Sequence, residues 1–310
     1  MRLYDFTRLQ GSKIAVTEKI AKALGLVDGS QVYTTMFRYD RDGFSGYEIV
    51  ASTFGPENYR QICQATFYLN DAPGACAQVS KFLAERNIDI LNSVSITMIS
   101  NVTMVWRMLV DLSYYGDVSQ LRDEFETLKK QKSLSISNVD AMEIEPSNIS
   151  DRYTKGIHSE GSNVKVKPVR QRQKKPSILK NGIMEIPADL MANLEDVKDG
   201  SVVMLVADLN AWVLSLSFLP YDTKLVEFEV CIPDKPGAIF EVTSAMAKVD
   251  INLLALYTRV LVFYERMTIR VVADVTKYHG GMVALVKELS SHMAGVEGRY
   301  ELLSLREIKV

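Results

Sequence analysis

The sequence predicts an α+β protein built twice over: two βαββαβ modules, each preceded by a short strand-helix-hairpin segment. Three observations carry this. Leu69–Leu91, "LNDAPGACAQVSKFLAERNIDIL", returns 163 positions later as "IPDKPGAIFEVTSAMAKVDINLL". Both copies run in the same order, an alternating apolar stretch and then a Pro-Gly that opens an amphipathic helix. A weaker repeat, "KIAVTEKIAKALGLVDGSQVYTTM" and "IMEIPADLMANLEDVKDGSVVMLV", precedes each copy and aligns when one residue is inserted after Leu194.

In the long repeat, "ICQATFYL" and "LVEFEVCI" alternate with the period of a half-buried strand. Cys76, Val79 and Leu83, like Ile239, Val242 and Met246, then recur at three- to four-residue spacing and give the next helix an apolar stripe. The match continues through Val79/Val242, Ile88/Ile251, Met104/Met267, Arg107/Arg270 and Asp111/Asp274. In the first copy two strands are expected near 89–98 and 102–112, a second helix near 117–131, and a last strand ending by Glu145. That order is the split βαβ arrangement, an antiparallel sheet with both helices on one face, the ferredoxin-like fold.

Each member of the weaker repeat reads as a short strand, one or two helical turns, a glycine turn at Gly29 or Gly200, and a β-hairpin. One such unit has open edges and half a core, so it needs a partner. The expected boundaries are 1–57 and 177–221 for the hairpin segments and 58–145 and 222–310 for the modules. Residues 146–176 are polar without hydrophobic period and read as a linker, which as a flexible coil spans roughly 30 Å. The expected whole is a covalently fused pseudo-dimer that can oligomerise further.

"DAPGACAQVSKFLAERNIDI" and "DKPGAIFEVTSAMAKVDINL" resemble the ACT domain family, whose signature is Asp or Asn two places before Pro-Gly, an apolar helix, and Ile-Asn-Ile or similar. "MEIPADLMANLEDVKDGSVVMLV" is similar to AbrB-like swapped-hairpin proteins, in which two units close one small barrel; the first copy has Val16-Thr17 in place of Ile-Pro. The ACT resemblance implies an amino acid held between the Pro-Gly loop and a partner strand. It points to Asp234, Pro236, Gly237 and Asn252 in the second copy and to Asp71, Pro73, Gly74 and Asp89 in the first.

The chemistry suits that ligand. Proline at the first helical position loses no needed N–H, glycine lets a ligand approach the backbone amides, and a helix N-terminus attracts a carboxylate. Aspartate on the same loop could accept an ammonium group. Asp before Pro-Gly is also an ordinary turn and helix-entry signal that needs no ligand. Asp89, where the second copy has Asn252, would repel a carboxylate.

A second candidate partner is duplex DNA. The AbrB resemblance offers Lys13, Lys19 and Lys22 with Arg38 and Arg41, and six of the eleven residues from Lys165 to Lys175 are basic: Lys165, Lys167, Arg170, Arg172, Lys174 and Lys175. Basic runs are also ordinary solvated linker. The net charge of −2 gives no whole-chain attraction to a polyanion. An amino-acid biosynthetic enzyme, bound without DNA, is the alternative partner.

No enzyme, cofactor or metal is expected. His158, His279 and His292 have no metal-ligand spacing, and no phosphate loop, dinucleotide fingerprint or nucleophile elbow occurs. Trp106 and Trp212 read as strand residues that pack in a core or interface. Cys63, Cys76 and Cys231 are odd in number and sit in apolar stretches, which suits core thiols in a reducing cytoplasm. The most apolar stretch, "SVVMLVADLNAWVLSLSFL", is broken by Asp208 and Asn210 into two strands rather than a membrane span.

Overall fold

The computed structural model describes residues 2–41, 44–54, 61–147, 165–167, 176–209, 212–294 and 300–310. The chain divides into two compact units, Met1–Asp199 with Val203–Phe218, and Gly200–Val202 with Leu219–Val310.

The first unit holds both hairpin segments and the first βαββαβ module. Segment one comprises β1 (Arg2–Gln10), β2 (Lys13–Ala15), α1 (Glu18–Leu24), β3 (Gln31–Arg41) and β4 (Phe44–Ser52). The module follows as β5 (Ile62–Asn70), α2 (Ala75–Ala84), β6 (Asp89–Ile99), β7 (Thr103–Asp111), α3 (Val118–Lys130) and β8 (Val139–Pro146). Then come β9 (Lys165–Lys167), β10 (Ser177–Ile178), β11 (Ile183–Glu185), α4 (Ala188–Met191), β12 (Val202–Asp208) and β13 (Val213–Phe218).

The two segments exchange strands. Along the sheet the order is β10-β3-β4-β13-β12-β1-β2-β11, so β1 of the first segment lies on β12 of the second while β10 of the second lies on β3 of the first. At β2–β11, Ile14 faces Met184, with Ala15 opposite Ile183 and Lys13 opposite Glu185, a local twofold through one residue pair. Val16 N–H donates to Gly182 O and Ile186 N–H to Ser12 O, both at 2.8 Å, as that twofold requires. The ends of the sheet meet at the β10–β11 turn, where Lys180 bridges Ile183. Residues of both segments fill one core, among them Ile14, Ile20, Met36, Ile49, Met184, Leu190, Leu205 and Leu216. The inserted residue falls where the helix must stop: Gly25 takes the left-handed conformation after α1 (φ 65°), and Asp196 takes it after α4 (φ 63°).

Two sequence expectations change here. The N-terminal residues form β1, because Leu9 enters the shared core, Leu3 packs against it, and Thr7 on the same face is buried between them. Part of the expected linker is strand: Lys165–Lys167 pairs antiparallel with Arg38–Asp40, adding β9 to the free edge of β3.

The first module has sheet order β6-β7-β5-β8. Helix α2 buries Ala75, Val79, Phe82 and Leu83, and α3 buries Leu121 and Phe125. Phe67, Phe82 and Phe125 meet edge to face, with centroids 5.9–6.5 Å apart.

The second unit repeats that design with β14 (Leu225–Pro233), α5 (Ala238–Lys248), β15 (Asn252–Val262), β16 (Arg266–Asp274), α6 (Gly281–Ala294) and β17 (Glu301–Glu307), in the order β15-β16-β14-β17. Its register copies the first: Leu225 faces Asp274 as Ile62 faces Asp111, and the bulge at Leu253/Ala255 matches that at Ile90/Asn92. Its core gathers Phe228, Val230, Val242, Met246, Ile269 and Leu289.

Candidate functional site

Each Pro-Gly turn joins the first strand of its module to the first helix. Gly74 (φ 90°) and Gly237 (φ 90°) are the residues that precede α2 and α5, in a backbone region that an L side chain rarely adopts. A Cβ at either glycine would meet nothing within 4 Å, so space around the turn is open. Neither helix has a side-chain cap. The contrast lies in the same module: α3 is capped by Asp117, whose carboxylate accepts from Gln120 N–H at 2.9 Å. At α2 the Ala75 and Gln78 amides bond to Ala72 O and Gly74 O, and at α5 the Ala238 and Glu241 amides bond to Lys235 O and Gly237 O. The amides between them stand at the positive end of the helix dipole.

The aspartates do other work. Asp71 accepts from Asn101 N–H at 2.7 Å and from the Thr97 hydroxyl at 3.3 Å, and Asp234 accepts from Tyr264 N–H at 2.8 Å. Asp71 N–H returns a bond to Val102 O, and Asp234 N–H one to Glu265 O. Each aspartate therefore ties the Pro-Gly turn to the tip of the following hairpin, where Asn101 and Tyr264 both sit at φ 60°. These tip residues were absent from the sequence reading. The 163-residue offset relates them and could have exposed them.

Asn252 and Asp89 lie elsewhere. Asn252 begins β15 opposite Asp274, at the Leu225 end of β14, whereas the Pro-Gly turn follows Pro233 at the other end. Asp89 likewise faces Asp111 at the Ile62 end of β5. Eight residues of strand separate the two ends, roughly 27 Å. Neither module brings its own turn and strand-start residue together. Asp89 and Asn252 were expected from the ACT resemblance, which holds the ligand against a partner strand, and the strand order of each module puts them at the end of the sheet away from its own turn.

Cys76 stands in the first turn of α2, partly buried. Burial raises its thiol above the ordinary value, and the Asp71 charge adds to that. Cys63 and Cys231 are buried. Trp106 packs against the first module's core, whereas Trp212 lies in the turn before β13, not in a strand. His279 is exposed just before α6, and His158 lies outside the described residues. Among the described residues no group of His, Cys, Asp and Glu could hold a metal, and no helix is long and apolar enough to cross a membrane.

The cations of the first segment are largely engaged. Lys22 pairs with Glu18 at 2.6 Å, Arg38 with Glu195 at 3.2 Å, and Lys19 donates to Tyr4 O at 2.8 Å. Lys13 lies opposite Glu185 in the β2–β11 ladder. Lys165 and Lys167 are on β9, and Arg170, Arg172, Lys174 and Lys175 fall outside the described residues.

No family model matches the sequence, and no curated protein matches it significantly. Among solved structures, the chain is similar to a protein assigned as a glycine cleavage system transcriptional repressor, at 15% identity over 81% of this chain and 99% of that one, with a TM-score of 0.25. It is also similar to the regulatory subunit of aspartate kinase from Thermus thermophilus (10% identity, 75% and 92% covered, TM-score 0.19). A third is the acetolactate synthase small subunit from Thermotoga maritima (9% identity, 80% and 96% covered, TM-score 0.20). Likeness at this level says nothing of function.

Proposed function

We propose that this chain is a non-catalytic regulatory protein whose ACT-like modules bind a free amino acid at their Pro-Gly turns. One observation carries the reading: both copies leave the N-terminus of the first helix uncapped at an open, positive-φ glycine, while α3 in the same module is capped. An amino-acid carboxylate satisfies those amides and meets a favourable dipole. The ammonium group then needs an acceptor beyond Asp71 and Asp234, whose carboxylates already hold the hairpin tips. A strand-start residue of a partner module supplies it, and Asn252 suits this better than Asp89, which also repels the carboxylate. The edge strands that would meet a partner are long and apolar: Val94, Ile96 and Met98 on β6 and Val260, Leu261 and Val262 on β15 are exposed.

The output is read as a protein, such as an amino-acid biosynthetic enzyme, rather than DNA, because Lys19 donates to Tyr4 O, Lys22 pairs with Glu18 and Arg38 pairs with Glu195. A thermal-shift screen of the common amino acids tests the proposal. A ligand that binds only the folded chain raises the Tm by mass action, and Asn252→Ala should reduce that rise. If no amino acid moves the Tm, the reading is wrong. Retention of duplex DNA at low salt, released steeply by added salt, would restore DNA as the output.

A further inference from the structure

A second pocket lies within the first unit, away from the Pro-Gly turns. It is about 270 Å³ and is formed where Leu209 and Trp212 meet the open face of the first module's sheet. Arg107 and Gln64 line it with Val94, Leu109, Leu209 and Trp212. We propose that this pocket binds a small aliphatic monocarboxylate, with Arg107 holding the carboxylate and the apolar walls the tail.

The comparison of the two modules carries the inference. At the matching place in the second module, Arg270 pairs with Glu229 at 3.5 Å and Arg306 with Glu227 at 2.8 Å. Glu229 is opposite Arg270 on the neighbouring strand as Thr66 is opposite Arg107. With the offset of 163, Glu227 and Glu229 correspond to Gln64 and Thr66, so the strand beside Arg107 carries neutral residues, and the carboxylates of the first module, Glu143 and Glu145, lie one strand further on, opposite Thr66 and Gln64. Among the described residues no carboxylate pairs with Arg107. Glu143, on the far side of Thr66, accepts from the Tyr68 hydroxyl at 3.2 Å instead. Arg107 thus has the neutral Thr66 and Val94 opposite it on the two neighbouring strands, and beside it lies Gln64, a residue only 9% exposed whose amide is able to donate a hydrogen bond.

The walls choose the rest of the ligand. Arginine's planar fork matches a carboxylate. Val94, Leu109, Leu209 and Trp212 line the pocket beside the exposed Arg107 with apolar surface, so a bare inorganic anion would leave most of the pocket unfilled. The volume admits a molecule of roughly ten non-hydrogen atoms or fewer. Trp212 sits at φ 52°, a conformation costly for a bulky residue and one that tends to mark functional positions.

The site does not rest on the Pro-Gly reading, and its test is separate. In the full chain carrying Trp106→Phe, Trp212 is the only tryptophan left. Isovalerate is expected to change its fluorescence saturably, while isoamyl alcohol, its uncharged analogue, is not. Thr66→Glu, which restores the acid found in the second module, and Arg107→Gln should each weaken binding by roughly tenfold or more, and Arg107→Lys should retain part of it. Arg270→Gln should leave the titration unchanged. No saturable response to isovalerate, or an equal response in Arg107→Gln, overturns the proposal.

Discussion

At the residue scale, a carboxylate that looks like a ligand anchor is also a structural clamp. Asp71 and Asp234 were legible from the Pro-Gly motif, but their partners Asn101 and Tyr264 lie thirty positions on and become neighbours only when the hairpin folds back. Losing a charged acceptor from a backbone N–H costs on the order of 1–2 kcal/mol at a partly exposed site. Asp234→Ala is therefore expected to lower the unfolding free energy by about that much in urea titrations, with or without amino acid present. Cys63 gives a pH test. Burial first, and the nearby Asp111 charge, push its thiol from the ordinary 9.0 up to about 11. Between those values the unfolded chain releases the proton and the folded one keeps it, so stability falls as pH rises from 9.0 to about 11. Cys63→Ala should flatten that part of the stability–pH curve, followed by denaturant midpoint.

At the element scale, period and punctuation located most of the secondary structure. The helices of the modules, the alternation of β5 and β14 and the Pro-Gly entries were all legible, because each is a local pattern. Three things were not. Strand β1 hides its alternation behind Arg2, Asp5, Thr7 and Arg8, and β9 is three residues inside a basic run. Trp212 reads as strand until the turn places it at positive φ. That the two segments pair was expected from the AbrB resemblance, but the strands exchanged, β1 and β10, were not, since pairing between distant residues leaves no local trace. Ile14 and Met184, 0% and 1% exposed, face each other at the centre of that exchange. Met184→Lys buries a charge there and is expected to destabilise the strand-exchanged sheet by more than about 3 kcal/mol, whereas Met184→Leu should cost under about 1.5 kcal/mol. Circular dichroism during denaturation would compare the two.

At the scale of the whole molecule, duplication lets one chain do what two identical chains would do, and then lets the copies diverge. The hairpin segments use this to share a single core. The modules use it differently: the register is preserved almost residue for residue, while Glu227 and Glu229 in one correspond to Gln64 and Thr66 in the other. The Pro-Gly turns are the feature both copies keep, and an effector there is the central claim. An amide-resolved NMR titration with the amino acid found by thermal shift tests it most directly. The amides of Gly74, Cys76 and Ala77, or of Gly237, Ile239 and Phe240, should shift first and saturate together. Saturable binding that leaves all six unmoved would contradict the claim.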